Sequence, residues 1–419
     1  MKTVRTYIIL ALALICLAAC CSARRAALRY GDERTDVYLP LLEGKRVAVF
    51  TNHTGIIGSK DQQTGTHIVD SLADRGVDVR VIVTPEHGFR GVQDAGGHVG
   101  DSAAVIGKLA GSQREVEIHS LYRPGNYRPS AELMDKFDVL LVDIQDVGVR
   151  FYTYHITMKR LMEACAEYGK EVVVLDRPNP NGFFVDGPVL DMSLTSGVGA
   201  IPVPVAHGMT LGELATAMNG EHWLRDSLVC QLTVVPCLGY SHPDKVEIAV
   251  MPSPNLKEMA AIYAYPSTCY FEGTKVSLGR GTAHPFLVYG HPDLVYLDGD
   301  AARDTVSFTP VAMPGAMNPP CKDRLCHGFA VNDAIGKVDF GYVIDAYRRL
   351  GGCEDFFLNG RFFNLLTGRR DIMEAIKAGK SAEEIALMWK EDLEAFKRLL
   401  ARKYLLYPWP ELEAQYGKD

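Results

Sequence analysis

Apolar and polar positions divide the chain into two halves with different rhythms. From Gly44 to about Pro236, short apolar runs alternate with longer stretches whose apolar residues recur every three or four positions. That alternation is the mark of strands separated by amphipathic helices. The runs at 47–50, 79–83, 139–142 and 172–175 are almost wholly apolar, as in strands buried on both faces. Residues 66–75, with Ile68, Val69 and Leu72 on one face, predict a helix stopped by Gly76. Residues 154–168 predict another, and Thr210 with Glu213 forms a capping box that opens a third. The repetition predicts a Rossmann-like, doubly wound α/β domain with a parallel sheet over residues 44–251. After Met251-Pro252 the punctuation by Gly and Pro becomes dense. Short strand-like pieces run from Tyr263 to about Phe340. A helical tail follows, opened by a Ser381–Glu384 capping box and striped by Ile385, Met388, Trp389, Leu393, Phe396 and Leu400. Residues 252–419 are therefore read as a smaller α+β domain closing a cleft against the first.

The first residues belong to targeting rather than to the fold. Lys2 and Arg5 precede an apolar run too short to span a bilayer, which ends in Leu17-Ala18-Ala19-Cys20. Small residues before a cysteine resemble a bacterial lipobox. On that reading residues 1–19 are a signal peptide, Cys20 carries the lipid, and 20–43 form a tether. The protein is then an exported, membrane-anchored lipoprotein facing the periplasm; an ordinary secretory signal is the plainer alternative. Export makes disulfides permissible, and Cys321 and Cys326 are close enough in sequence to bridge locally or to stay as free thiols. A net charge of −7 with no basic block argues against nucleic acid as a partner. No P-loop and no strand-led G-x-G-x-x-G is present, and Gly96-Gly97-His98-Val99-Gly100 reads as a flexible loop. No cofactor is expected.

Each of the four apolar runs ends in a polar cluster. In an open parallel sheet the carboxyl ends of the strands share one edge, where ligands bind, so clusters distant in sequence converge there. The first run delivers Asn52 and His53, and the second Pro85-Glu86-His87-Gly88-Phe89-Arg90-Gly91. The third delivers Asp143, Gln145 and Asp146, and the fourth Asp176, Arg177 and Asn179. Glu86 leads the candidates. Gly88 and Gly91 permit a sharp turn near a ligand, and a carboxyl between an apolar strand end and a turn suits a general acid. A solvated turn glutamate is the alternative. His87 and Arg90 are placed to orient Glu86 or to bind substrate. Asp143, at its strand end, is the candidate second carboxyl of a glycoside-hydrolase pair, and Asp146 either joins it or caps the next segment. Arg150, Tyr152 and Tyr154 alternate, so an extended chain would put a carboxylate clamp and stacking rings on one face. Asn179 and His207 are further binding candidates. Glu272, Arg280 and Thr282 approach from the second domain, with Gly279 and Gly281 allowing Arg280 near a ligand. A rival chemistry gathers Glu86, His87, His53 and Asp143 around a divalent metal. No H-E-x-x-H or G-x-S-x-G accompanies it.

These segments together resemble the exo-β-N-acetylmuramidase family of the NamZ type. The carriers are Thr51-Asn52-His53-Thr54-Gly55, the Pro85 to Gly91 motif, and Asp143-Ile144-Gln145-Asp146-Val147-Gly148-Val149-Arg150-Phe151-Tyr152-Thr153-Tyr154. Asp176-Arg177-Pro178-Asn179-Pro180, Pro254-Asn255 and the stretch from Phe271-Glu272-Gly273-Thr274 to Gly279-Arg280-Gly281-Thr282 complete them. The resemblance implies a Rossmann-like domain, a smaller second domain, and release of N-acetylmuramic acid from the non-reducing end of peptidoglycan fragments. It places the catalytic glutamate on Glu86 and requires no metal. It also implies that Arg150 or Arg280 holds the lactyl carboxylate of the sugar. The second catalytic group stays open, since a 2-acetamido sugar can supply its own nucleophile. Two other readings remain: a metal-dependent deacetylase or phosphoesterase, and a non-catalytic muropeptide-binding lipoprotein.

Overall fold

Seven strands form the central sheet, in the order β3-β4-β2-β1-β5-β6-β7. They are β1 (Arg46–Phe50), β2 (Asp78–Thr84), β3 (Ser102–Ile106), β4 (Arg114–Ser120), β5 (Val139–Val142), β6 (Glu171–Leu175) and β7 (Gln231–Val235). The computed structural model describes residues 26–417, apart from 59, 92, 95–99, 122–127, 298, 301, 302 and 333. The segment read as a signal peptide, Cys20 and the Gly96–Val99 stretch lie outside the described residues.

All four apolar runs are strands, and they are neighbours: β2, β1, β5 and β6 pair in parallel. The one departure is β3, which runs antiparallel to β4 at the sheet's edge. Alternate residues of each central strand serve different cores. Ala48, Phe50, Val81, Val83, Leu140 and Val142 pack towards Met158, Leu161, Leu214 and the second domain. Val47, Val49, Ile82, Val139, Leu141 and Val173 pack towards Tyr38, Leu42, Ile68 and Leu72 on the other face. Burial on both faces explains the unbroken apolar runs. Strand order reverses at β1, with β2 and β4 to one side and β5, β6 and β7 to the other. The crevice at that switch point is where the polar clusters meet.

The predicted helices form at Ile68–Asp74, Tyr154–Glu167 and Leu211–Gly220, the last with its Thr210–Glu213 capping box in place. Three expectations change. The tether is shorter than 20–43: Arg29 bonds Leu238, Gly31 bonds the Asp176 carbonyl, and Thr35–Leu42 is a helix packed on the sheet. Tyr263 begins no strand, because Met259–Thr268 is a helix despite Pro266. The tail stripe is broken into Ala382–Ala386 and Lys390–Lys403 by a tight turn at Leu387–Trp389. The second domain carries a small antiparallel sheet of β8 (Val288–His291), β10 (Cys326–Ala330) and β9 (Thr305–Phe308). Cys321 and Cys326 are free thiols, as are the other cysteines among the described residues.

Candidate active site

A cavity of about 400 Å³ opens where the β2 exit, the start of the Tyr154–Glu167 helix and the second domain meet. Its size falls in the range that takes a small ligand. Glu86, His87, Tyr152, Thr153, Ser253, Tyr265, Glu272 and Arg280 supply its polar groups, and Phe151, Phe286, Phe362 and Leu365 its apolar wall. A larger depression of about 750 Å³ lies elsewhere, around Trp223 and Phe396. Its Arg369 is tied to Asp371 and Asp392, and none of the strand-end clusters reaches it.

Glu86 follows β2 in a turn that the sequence makes unusual. Gly88 and Gly91 both take positive φ, and so does His87, at φ 70°. A side chain at positive φ carries strain, which persists where the surroundings hold it for a purpose. Gly91 is required twice over, since a Cβ there would lie 2.0 Å from the His53 ring. Glu86 is 9% exposed, and its Oε2 accepts a 2.7 Å hydrogen bond from the Thr153 hydroxyl. Thr153 immediately precedes a helix of 14 residues, so the carboxyl also faces the positive end of that helix.

His87 has one ring nitrogen turned to protein and one to the cavity. Nδ1 lies 2.7 Å from the Gln93 carbonyl. A carbonyl only accepts, so Nδ1 carries the hydrogen, and Nε2 of the neutral ring is left as an acceptor. Ser253 Oγ sits 3.5 Å from Nε2 and itself receives the Asn255 N–H. Burial pushes the His87 imidazole below its ordinary value, against the opposing pull of Glu86, which favours the neutral ring.

Across the cavity, Arg280 sits between Gly279 and Gly281, both at φ 80°. Its Nη2 is paired with Glu272, its guanidinium lies 5.5 Å from the Phe286 ring centre, and its buried Nε has no hydrogen-bond partner. The part-exposed guanidinium on the cavity wall is a ready anchor for an anionic group.

Of the residues expected in the site, the cavity gathers Glu86, His87, Tyr152, Glu272 and Arg280. Tyr152 is placed by its hydroxyl, which donates to the Pro252 carbonyl at 2.9 Å. The other expectations need correction, because the side chain is engaged elsewhere or, for Arg90, lies outside the cavity. Asp143 is fully buried and forked by Arg177, which also holds Asp32. It is no partner carboxyl for Glu86. Arg150 is fully buried and donates to the carbonyls of Pro188, Val203 and Leu366 at 2.5, 3.0 and 3.0 Å. It clamps backbone, not substrate. Arg90 is exposed and outside the cavity. His53 turns to the Met251 carbonyl at 2.9 Å, and Asn52 binds Thr54 and Tyr154.

Gln145 bridges the Asp146 and Pro178 carbonyls, Asn179 donates to the Met209 carbonyl and accepts the Asn181 N–H, and Asp146 takes the Gly148 N–H. The three border a crevice of about 10 Å³, too small for a sugar. His207 is buried with Nδ1 accepting the Met209 N–H. Thr282 closes the turn behind Arg280 by donating to the Gly279 carbonyl. The proposed metal quartet does not assemble either. Among the described residues, no group of three or more His, Cys, Asp or Glu is placed to hold an ion.

Thr153, Ser253 and Tyr265 also line the cavity, and the sequence signal for Thr153 is its place immediately ahead of the Tyr154–Glu167 helix.

Sequence profiles of two domains match the chain: exo-β-N-acetylmuramidase NamZ, N-terminal, over residues 47–260, and its C-terminal counterpart over 263–407. The peptidoglycan β-N-acetylmuramidase NamZ of Bacillus subtilis is 35% identical over 386 residues, covering 88% of this chain and 89% of that protein. Two crystal structures of DUF1343 family proteins from Bacteroides fragilis are similar throughout. One superposes with a TM-score of 0.78 at 46% identity and the other with 0.75 at 26%. Each covers 91% of this chain and 99% of its own.

Proposed function

The chain belongs to the NamZ exo-β-N-acetylmuramidase family, and from that premise we propose that it releases N-acetylmuramic acid from the non-reducing end of peptidoglycan fragments during cell-wall turnover. Glu86 is the general acid that protonates the departing glycosidic oxygen, and its carboxylate then draws the proton from water. One observation carries the reading: a buried carboxyl, oriented by Thr153, borders a cavity sized for a small ligand. Arg280 supports the choice of sugar, because its guanidinium on the cavity wall suits the lactyl carboxylate that N-acetylglucosamine lacks.

The test uses a β-linked muramyl–glucosaminyl disaccharide and Glu86→Gln. Wild type liberates free muramic sugar, identified by mass spectrometry. The variant folds normally and loses about 10²–10⁴ in turnover, the range for a missing general acid. Undiminished turnover would remove Glu86 from the mechanism.

The anchored, periplasm-facing lipoprotein belongs to the same proposal and rests on the Leu17-Ala18-Ala19-Cys20 motif. Cys20→Ala is expected to move the protein from the membrane fraction to the soluble one, and unchanged fractionation counts against lipidation.

A further inference from the structure

Among the described residues, the cavity offers no free second carboxyl beside Glu86. Of the carboxyl groups lining it, Glu86 is the acid and Glu272 is tied to Arg280. Asp143, which a two-carboxylate mechanism would use, is buried against Arg177 outside it. What the cavity does offer beside Glu86 is an imidazole nitrogen of fixed role. His87 Nδ1–H is committed to the Gln93 carbonyl, so Nε2 faces the cavity as an acceptor, steadied only by the long contact to Ser253. The positive φ of His87 shows that the turn holds this ring in place at a cost in backbone strain.

Resting on the muramidase reading, we propose that the reaction is assisted by the substrate: the 2-acetamido carbonyl oxygen is the nucleophile, and His87 Nε2 takes up the acetamido N–H proton. The steps balance. Glu86 gives its proton to the glycosidic oxygen as the bond from C1 to that oxygen breaks. The acetamido oxygen closes onto C1, and the N–H proton passes to Nε2, leaving a neutral oxazoline, an imidazolium and the Glu86 carboxylate. Water then adds to C1 from the face the aglycone left, giving its proton to Glu86. The C1 bond to the acetamido oxygen breaks, and the imidazolium returns its proton to nitrogen. The sugar leaves with its starting anomeric configuration. His87 is therefore a catalytic residue in its own right.

The experiment compares 4-methylumbelliferyl β-N-acetylmuramide with its N-trifluoroacetyl analogue, and follows the first-formed anomer by proton NMR. Wild type is expected to release the β-anomer and to lose about 10²-fold or more in kcat on the fluorinated substrate, whose carbonyl is a weak nucleophile. His87→Phe should lower kcat by about 10²–10⁴ at similar KM, the span of a lost proton-transfer group. His87→Gln, which still accepts a hydrogen bond, should keep part of the rate. Two outcomes overturn the proposal: release of the α-anomer, or retention with a rate indifferent to N-acyl fluorination. Both wild-type readouts are independent of whether the His87 variants fold. Failure of wild type to release any muramic sugar would instead strike the underlying functional reading.

Discussion

Two polar clusters lie at the carboxyl edge of one sheet, and their side chains are of similar kinds. Around Glu86, hydrogen-bonding capacity borders a cavity: His87 Nε2 has one long contact to Ser253, and the part-exposed Arg280 guanidinium lines the wall. Around Arg177, the capacity is consumed internally, with Asp143 and Asp32 both on one guanidinium and Asp176 bound by Thr210, Tyr407 and the Gly212 N–H. On the proposed reading the first cluster is a site and the second is scaffold. What separates them is not residue type, strand-end position or burial, but whether the protein has already supplied the partners. Scaffold groups hold the strand exits in register so that site groups need not.

The comparison is broken most directly at Asp143. If it is scaffold, Asp143→Ala leaves Arg177 underpaired in the interior and costs about 3–5 kcal/mol of stability, as removing one member of a buried ion pair does. Urea unfolding measures it. A variant of normal stability that loses only turnover would transfer Asp143 to the site.

Asp146 sharpens the contrast through pH. Burial lifts its carboxyl from the ordinary value to about 7. Between about pH 4 and pH 7 the folded protein thus keeps a proton that the unfolded chain has released. The group's contribution is fully present below the unfolded value and declines as pH rises through that window. Asp146→Asn keeps the oxygen that receives the Gly148 N–H and removes the decline. The variant should gain on wild type by about 1–4 kcal/mol between pH 5 and pH 8, read from paired unfolding midpoints. A parallel pH dependence in both proteins would show the carboxyl to be solvated.

The smallest effect tests a group on the other side of the divide. Thr153→Val should lower kcat by about tenfold with KM little changed, the worth of one hydrogen bond to a charged group. Thr153→Ser, which keeps the donor, should restore the rate. Loss of stability without these kinetic changes would mark Thr153 as scaffold.

The core of the fold was legible because strands buried on both faces leave no polar residues to blur them: the runs at 47–50, 79–83, 139–142 and 172–175 are the four central strands. Edge strands were harder. Arg114–Ser120 alternates charged and apolar residues over a half-exposed surface, and Ser102–Ile106 is exposed along most of its length. In the site, Glu86 and His87 could be found because Pro85, Gly88 and Gly91 advertise an unusual turn. Asp143 and Arg150 were misplaced for one physical reason. A sequence displays the charge a residue carries, but not the partner that neutralises or solvates it. For Asp143 that partner is Arg177, and for Arg150 it is three carbonyls, one of them 216 residues away.

Those three carbonyls have a bearing on motion. The Arg150 guanidinium, pushed down to about 10 by burial, is threaded between the strand-bearing half and Leu366 of the smaller half. Swinging the halves apart would break the bond to Leu366 and take one of three acceptors from a buried cation, so Arg150 latches the seam between them.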